Sequence, residues 1–213
     1  MNNFFSKYNY IFFDFDGVIV DSVDIKTRAF AKLFEDYGEE VVKKVVEYHV
    51  QHGGVSRYEK FRYYYKNFLN RDITEKEMEM LDKKFSEFVF YEVLKAPFIP
   101  GVLKFLNICY KNNKTMFIVS ATPKEEIEKI VEGKSLSKFF KEITGSPSKK
   151  AENLAYLIKK YKISPLNSIY FGDAKSDLEA AAKNNVFFVP INYFDGVKGF
   201  KNLEEFMLHE NIK

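Results

Sequence analysis

Apolar residues occur along the chain in short continuous runs that are separated by longer amphipathic segments. Four runs predict buried strands, at residues 10–13, 116–119, 169–171 and 186–189. The runs are uninterrupted rather than alternating, which is typical of parallel strands covered by helices on both faces. Because helical segments separate them, we predict an α/β fold with a doubly wound, Rossmann-like parallel sheet.

One long segment contains no strand pattern. From residue 22 to 96 the apolar positions recur at helical spacing, with helices expected from about Ile25 and over 41–50, 58–69 and 75–93. The segment leaves the sheet after the first strand and rejoins it through Pro97 and the Pro100-Gly101 turn. We therefore predict an inserted all-helical cap over residues 22–96, with residues 1–21 and 97–213 forming the core. A helical stretch within one domain is the alternative.

Three segments have the pattern of helix starts. Thr122 to Glu125 and Thr74 to Glu77 resemble capping boxes, and Asn202 to Glu205 resembles a third cap. Pro123 suits a first helical position, and Gly133 suits the end of that helix.

Composition excludes several classes of protein. The 213 residues are 46% hydrophobic and 30% charged, with a net charge of only +3, so neither a disordered chain nor a nucleic-acid partner is expected. Cys109 is the single cysteine, which excludes an internal disulfide and suits a reducing compartment. No apolar run has the length of a signal peptide core or membrane span. We expect a cytoplasmic protein without a membrane partner, either a monomer or a homodimer.

Paired carboxylates follow the first predicted strand. Asp14 and Asp16 are two positions apart, so an extended backbone directs both to one side. Two close carboxylates repel unless a cation lies between them or one of them is protonated, and oxygen ligands of this kind suit Mg²⁺. Gly17 then permits a sharp turn. By itself, this stretch is also compatible with an ordinary turn after a strand.

A second acidic pair follows the strand at 169–171. Asp173 comes at the carboxyl end of that strand, and Asp177 lies one helical turn later. Ligands of open parallel sheets bind beyond the carboxyl ends of the strands. The two acidic pairs are therefore expected to meet at one edge of the sheet.

Groups suited to a phosphate lie between these pairs. Ser120 ends the strand at 116–119, and the backbone amides from Ala121 onward precede a predicted helix. Lys149 and Lys150 precede another helix, and either is able to reach a phosphate as a point charge. A capping serine and a solvated helix start are the alternatives for these positions.

Taken in order, these pieces resemble the haloacid dehalogenase-like hydrolase superfamily. The order is Asp14-x-Asp16-Gly17, then Ser120, then Lys149 or Lys150, then Gly172-Asp173-x-x-x-Asp177. The helical insertion resembles the C1 cap of its phosphoglycolate phosphatase-like and β-phosphoglucomutase-like branches. The resemblance implies a Mg²⁺-dependent phosphatase that acts on a small organic phosphomonoester.

The resemblance also implies a role for each motif residue. Asp14 would attack phosphorus and form an aspartyl-phosphate. Asp16 would act as general acid and base, and its backbone carbonyl would bind the metal. The side chains of Asp14 and Asp173 would hold Mg²⁺, and Asp177 would bind through water or orient the ligands. The phosphoryl group would be held by Ser120, Ala121 and a lysine, Lys150 in preference to Lys149.

Specificity is expected to come from the cap. Gly54 lies in a tight loop between helices, Arg57 offers a planar fork for an anion, and His52 is placed to bind a substrate hydroxyl. A simple helix–helix turn is the alternative. His49 is expected on a helix surface, and Tyr63 to Tyr65 are expected to serve in packing.

The sequence is compatible with more than one function. The presence of Asp16 favours phosphoryl transfer over dehalogenation, because a halide leaves without a proton. A phosphomutase acting on a sugar phosphate would keep every motif. A phosphoacceptor signalling domain and a catalytically silent binding protein would also be compatible with several of these residues.

Overall fold

The structure is a computed structural model that describes residues 3–212. Residues 1, 2 and 213, which belong to the predicted core, lie outside the described residues.

The strands are β1 (Tyr10–Phe13), β2 (Thr115–Pro123), β3 (Phe140–Ser146), β4 (Ser168–Gly172) and β5 (Phe187–Pro190). The helices are α1 (Asn3–Lys7), α2 (Val23–Leu33), α3 (Glu39–Gln51), α4 (Arg57–Phe68), α5 (Glu75–Lys95), α6 (Val102–Lys111), α7 (Lys124–Gly133), α8 (Lys150–Tyr161), α9 (Lys175–Lys183) and α10 (Leu203–His209). Short 3-10 turns occur at Glu35–Tyr37, Ser137–Phe139 and Pro165–Asn167.

Within the described residues, the strands form one sheet in the order β3-β2-β1-β4-β5, and every neighbouring pair is parallel. Phe12 of β1 is opposite Phe117 of β2 and Tyr170 of β4. Strand β1 is therefore the central strand of the sheet, with β2 on one side and β4 on the other. The predicted doubly wound α/β fold is confirmed.

The continuous apolar strands are explained by burial on both faces of the sheet. Phe13 stacks on Phe171 with 5.3 Å between ring centres, and this face continues into the main hydrophobic core. Phe12 stacks on Phe117 at 5.1 Å on the other face, which packs against α8 and α9. Burial of one such side chain stabilises the fold by about 1.5–3 kcal/mol.

One strand was missing from the sequence prediction. Strand β3 lies at the edge of the sheet, and its sequence FKEITGS contains only two large apolar residues. Edge strands can stay half exposed, so they lack the continuous apolar run of the central strands. Thr144 is buried there and donates a hydrogen bond to the Ile118 carbonyl at 3.0 Å.

The helix start predicted at Thr122 is wrong, because β2 continues to Pro123 and α7 begins at Lys124. The Thr122 hydroxyl makes no cap and instead reaches Asp16 at 3.1 Å. The other two caps are confirmed. Thr74 forms a complete capping box with Glu77, and Asn202 Oδ1 accepts from the Glu205 amide at 3.0 Å.

Between residues 22 and 96 every regular element is helical, as expected. Helix α2 packs between α3 and α5, and aromatic side chains fill the space, with Phe30 and Phe85 at 4.5 Å between ring centres. His49 is wrongly predicted to be exposed, because it lies in this core with 7% of its surface accessible. In the described part of the chain no helix combines the length and apolarity that crossing a bilayer requires.

Candidate active site

Asp14 and Asp173 lie side by side because each follows one of two adjacent parallel strands. Asp14 follows β1, and its amide donates to the Phe171 carbonyl of β4 at 2.9 Å. Asp173 is the first residue after β4. The side chains of both residues line the same cavity. The expected meeting of the two acidic pairs at this edge is therefore observed.

Gly17 makes this close approach possible. It has a φ of +81°, a conformation that other residues rarely adopt. A Cβ atom at Gly17 would lie only 1.9 Å from Asp173 Oδ2. The turn after β1 and the acidic loop after β4 can therefore pack together only if residue 17 has no side chain.

Lys150 joins Asp14 to Asp177. Its Nζ lies 2.8 Å from Asp14 Oδ2 and 2.7 Å from Asp177 Oδ1. Burial alone would lower the pKa of Lys150, but the two carboxylates outweigh it and raise that pKa above its ordinary value. Lys149 points elsewhere and lies 3.7 Å from Glu59 at the surface. Of the two candidate lysines, the structure brings Lys150 to the acidic residues.

The carboxylates of Asp14, Asp173 and Asp177 lie close together, and the single positive charge of Lys150 does not balance their three negative charges. Oxygen atoms of Asp14, Asp173 and Asp177 all lie within 4.8 Å of one another. Burial, opposed by Lys150 and assisted by Asp177 and Asp16, raises the pKa of Asp14 to about 7. Burial and the charges of Asp14 and Asp177 raise the pKa of Asp173 well above its ordinary value.

Asp177 leaves one buried atom without a partner. Its Oδ1 accepts from Lys150 and, at 2.6 Å, from the Tyr170 hydroxyl, whereas Oδ2 has no hydrogen-bond partner among the described residues. An unpaired buried carboxylate oxygen is costly, and a cation or its bound water would satisfy it. The donor set consists of oxygen atoms, which fits a magnesium ion.

Asp16 is held by three donors. Ser22 Oγ donates to Oδ1 at 2.6 Å, Thr122 Oγ1 donates to Oδ2 at 3.1 Å, and Lys26 Nζ also donates to Oδ2. Burial would raise the pKa of Asp16, but the charge and hydrogen bonds of these neighbours lower it below the usual value. Sequence reasoning missed both Lys26 and Thr122. The only signal for Lys26 was its position one helical turn after Ser22.

Ser120 and Ala121 lie in the last part of β2, and of these two only Ala121 is among the residues that line the cavity. Ser120 is fully buried, and its Oγ accepts from the Thr122 amide at 3.1 Å. Ala121 lines the cavity directly. The end of β2 therefore lies between Asp16 and the start of α7.

Helices and loops between residues 22 and 96, which we call the cap, face Asp14, Asp16 and Asp173 across a partly open cavity of about 650 Å³. The loop between α3 and α4 packs closely against the loop and helix start after β4. A Cβ atom at Gly54 would lie 2.2 Å from Ser176 Oγ and 2.9 Å from Lys150 Nζ. Gly54 also has a φ of +72°, so glycine serves both the turn and the contact with the core.

Arg57 lines the cavity, but its guanidinium is already engaged. It donates to Asp82 at 3.1 Å and to Ser86 at 2.7 Å within the cap, and to Glu126 of α7 at 2.5 Å. This buried network joins the cap to the core. His52 is not brought to the cavity, because its ring stacks on Tyr48 at 3.8 Å and Nδ1 contacts the Tyr48 carbonyl.

Sequence comparison places the chain in a known family. A family model described as haloacid dehalogenase-like hydrolase matches residues 11–191. The chain belongs to the haloacid dehalogenase-like hydrolase family. The family and the enzyme class predicted from the sequence, a phosphatase of this type, are both confirmed.

Two named enzymes and one solved structure illustrate what this haloacid dehalogenase-like chain is similar to. It is 22% identical over 205 residues to a phosphoglycolate phosphatase of Pseudomonas savastanoi pv. phaseolicola, covering 86% of this chain and 69% of that protein. It is 24% identical over 186 residues to a phosphoglycolate phosphatase of Aliivibrio fischeri, covering 83% and 81%. The crystal structure of β-phosphoglucomutase from Clostridium difficile has a TM-score of 0.73 at 22% identity, covering 93% and 88%, which shows a shared fold.

Proposed function

We propose that this protein is a magnesium-dependent phosphatase that hydrolyses a small organic phosphomonoester through an aspartyl-phosphate on Asp14. The observation that carries the proposal is the position of Lys150 Nζ, which lies 2.7 Å from Asp177 and 2.8 Å from Asp14, a residue that lines the cavity. A lysine in this position orients a carboxylate nucleophile and supplies positive charge for a transferring phosphoryl group.

In the first step, a carboxylate oxygen of Asp14 attacks phosphorus and the bond from phosphorus to the ester oxygen breaks. Asp16 in its protonated form donates to the departing alkoxide, so an alcohol is released. Because its neighbours lower the pKa of Asp16, this step requires the carboxyl to take up a proton before the ester bond breaks. In the second step, Asp16 takes a proton from a water molecule, whose oxygen attacks phosphorus. The acyl–phosphate bond then breaks, which frees Asp14 and inorganic phosphate.

The charge on the phosphoryl group needs fixed donors. Lys150, the Ser120 hydroxyl and the backbone at Ala121 are proposed to hold its oxygens. Asp14, Asp173 and the Asp16 backbone carbonyl are proposed to hold Mg²⁺, with Asp177 ligating through water or orienting the set. When bound, the ion neutralises the repelling carboxylates and the phosphoryl oxygens.

The cap is proposed to select the substrate. Residues 22–96 would form the cap and residues 1–21 and 97–213 the core, and the two together line a partly open cavity whose size suits a small molecule. Gly54 and Arg57 lie at this cavity, so their proposed contribution to the substrate pocket is retained. The predicted contact of His52 with a substrate hydroxyl is not retained, because its ring stacks on Tyr48 away from the cavity.

A phosphate-release screen tests the proposal. The purified protein with Mg²⁺ is expected to release phosphate from some of a panel of sugar, glycolate, glycerol, amino-alcohol and nucleoside phosphates. Isomer formation from the sugar phosphates is followed in parallel. Isomer formation without net phosphate release would instead identify a phosphomutase, and no turnover of any ester would contradict both.

A further inference from the structure

Three basic side chains of the cap line the substrate cavity, and two of them have carboxylate partners. Lys26 pairs with Asp16, and Arg57 pairs with both Asp82 and Glu126. The third is Lys60 of α4. Among residues 3–212, no carboxylate oxygen lies within 4.0 Å of its Nζ.

Lys60 is almost completely buried, with 2% of its surface exposed. Its Nζ lies 2.7 Å from His49 Nδ1 and 5.4 Å from the centre of the Phe30 ring. Burial, followed by the charges of Lys26 and Lys150, lowers the pKa of Lys60 to about 7. The lysine therefore sits in an apolar wall of the cavity without a counter-charge.

His49 completes the arrangement as a neutral acceptor. Burial, followed by the charges of Lys60 and Lys26, lowers the pKa of His49 to about 2. The ring is fixed by Phe30, whose centre lies 4.7 Å away. With Nδ1 accepting from Lys60, one of the three donors of the ammonium group is used, and two are available for a bound molecule.

We propose that Lys60, oriented by His49, binds a second anionic group of the substrate. The preferred substrates are then phosphomonoesters that also carry a carboxylate or a second phosphate. This inference rests on the proposed function, since Asp14 and Lys150 hold the phosphate that reacts. An anion beside Lys60 restores the charge of the amine, and a charge-assisted hydrogen bond in an apolar site is strong.

The position of Lys60 separates this role from that of the reacting phosphate. Asp14 lines the cavity from the core, whereas Lys60 lines it from the cap. Arg57 cannot take the same role without giving up Asp82 and Glu126. Lys60 is thus the cap cation that a second anion can reach without breaking an ion pair.

Matched pairs of substrates test the inference. The pairs are 2-phosphoglycolate with 2-hydroxyethyl phosphate, 3-phosphoglycerate with glycerol 3-phosphate, and fructose 1,6-bisphosphate with fructose 6-phosphate. For at least one pair, the wild-type kcat/KM should be about 10- to 100-fold higher for the member with the second anion, the range of one hydrogen bond to a charged group. Lys60→Met should remove this preference while changing the other member less than about threefold.

Two variants serve as controls. Lys66→Met removes an exposed lysine from the same helix and should leave every ratio unchanged. Lys60→Arg keeps the charge and should keep part of the preference. The inference is overturned if wild type shows no preference in any pair, or if Lys60→Met slows both members of a pair equally.

A binding measurement separates this inference from the proposed function. Calorimetry of the same pairs with the Asp14→Asn variant, with and without Lys60→Met, reports recognition without turnover. Tighter binding of the doubly anionic member that depends on Lys60 supports the inference, and equal binding overturns it. Absence of turnover by the wild type would contradict the proposed phosphatase, whatever the binding result.

Discussion

Lys26 of helix α2 donates to Asp16 Oδ2, so the first cap helix directly holds the proposed general acid and base of the core. The same Nζ donates to Thr122 Oγ1 at 2.7 Å, and Thr122 itself reaches Asp16. Because Lys26 belongs to α2 and Asp16 follows β1, the orientation of Asp16 depends on how α2 packs against the ends of β1 and β2.

Lys26→Met tests that dependence. We expect kcat to fall about 10-fold or more for alkyl phosphates, because the carboxyl of Asp16 is no longer oriented to transfer a proton. p-Nitrophenyl phosphate, whose leaving group needs little protonation, should be affected less. Equal losses for both types of ester would show that Lys26 acts on the fold or on binding. Lys32→Met, which removes an exposed lysine of the same helix and its surface ion pair with Glu35, is the control.

Lys150 and Lys149 form a natural matched pair for substitution. Lys150→Met should lower kcat/KM at least about 10²-fold, because the fixed charge beside Asp14 is lost. Lys149→Met should change it less than about threefold, since its ion pair with Glu59 is exposed. Lys150→Arg and a thermal melt show whether any loss reflects folding. Similar losses in the two methionine variants would contradict the assignment of Lys150.

The repulsion among the acidic residues predicts a metal effect on stability. Mg²⁺ should raise the Tm of the wild type, because it binds the folded state and neutralises Asp14 and Asp173. Asp173→Asn should melt higher than wild type in EDTA, since one buried repelling charge is removed. It should also lose most of the Mg²⁺-dependent rise and most activity. A Tm of wild type that does not respond to Mg²⁺ would contradict the proposed metal site.

Lys60 should reduce stability in a pH-dependent way. Its pKa is lowered to about 7 in the folded protein from 10.5, so the unfolded chain binds more protons between these values. Its destabilising effect is therefore complete below about pH 7 and is relieved as the pH rises toward 10. We expect Lys60→Met to raise the free energy of unfolding by about 1–3 kcal/mol at pH 7, and the gain to shrink by pH 9.5. Denaturant unfolding of both proteins across this range gives the comparison, and a gain independent of pH would contradict this role of Lys60.

Sequence patterns predicted the parts of this molecule that rest on strong local signals. The continuous apolar runs located β1, β2, β4 and β5, and the acidic residues after them located Asp14 and Asp173. Strand β3 was not predicted, because an edge strand needs no continuous apolar run. The four predicted strands and the acidic residues after them could be located because their burial shows as a local pattern of neighbouring residues.

Contacts between distant segments were harder to predict. Thr122 has the pattern of a helix cap, but its hydroxyl is used by Asp16 and Lys26, which lie about a hundred residues earlier in the chain. His49 and Lys60 lie on separate helices. In each helix taken alone, a histidine or lysine is expected on the solvent-exposed face. Only the packing of α3 on α4 brings the two side chains together in the cavity wall.

The covalent role of Asp14 is the central claim, and trapping the intermediate tests it most directly. The enzyme is mixed with substrate and Mg²⁺, quenched in acid within the first turnover, and reduced with borohydride, which converts an aspartyl-phosphate to homoserine. We predict homoserine at position 14 in the peptide mass spectrum, and none in the Asp14→Asn variant or without substrate. Rapid phosphate release with an unmodified Asp14, or activity retained in Asp14→Asn, would contradict the mechanism.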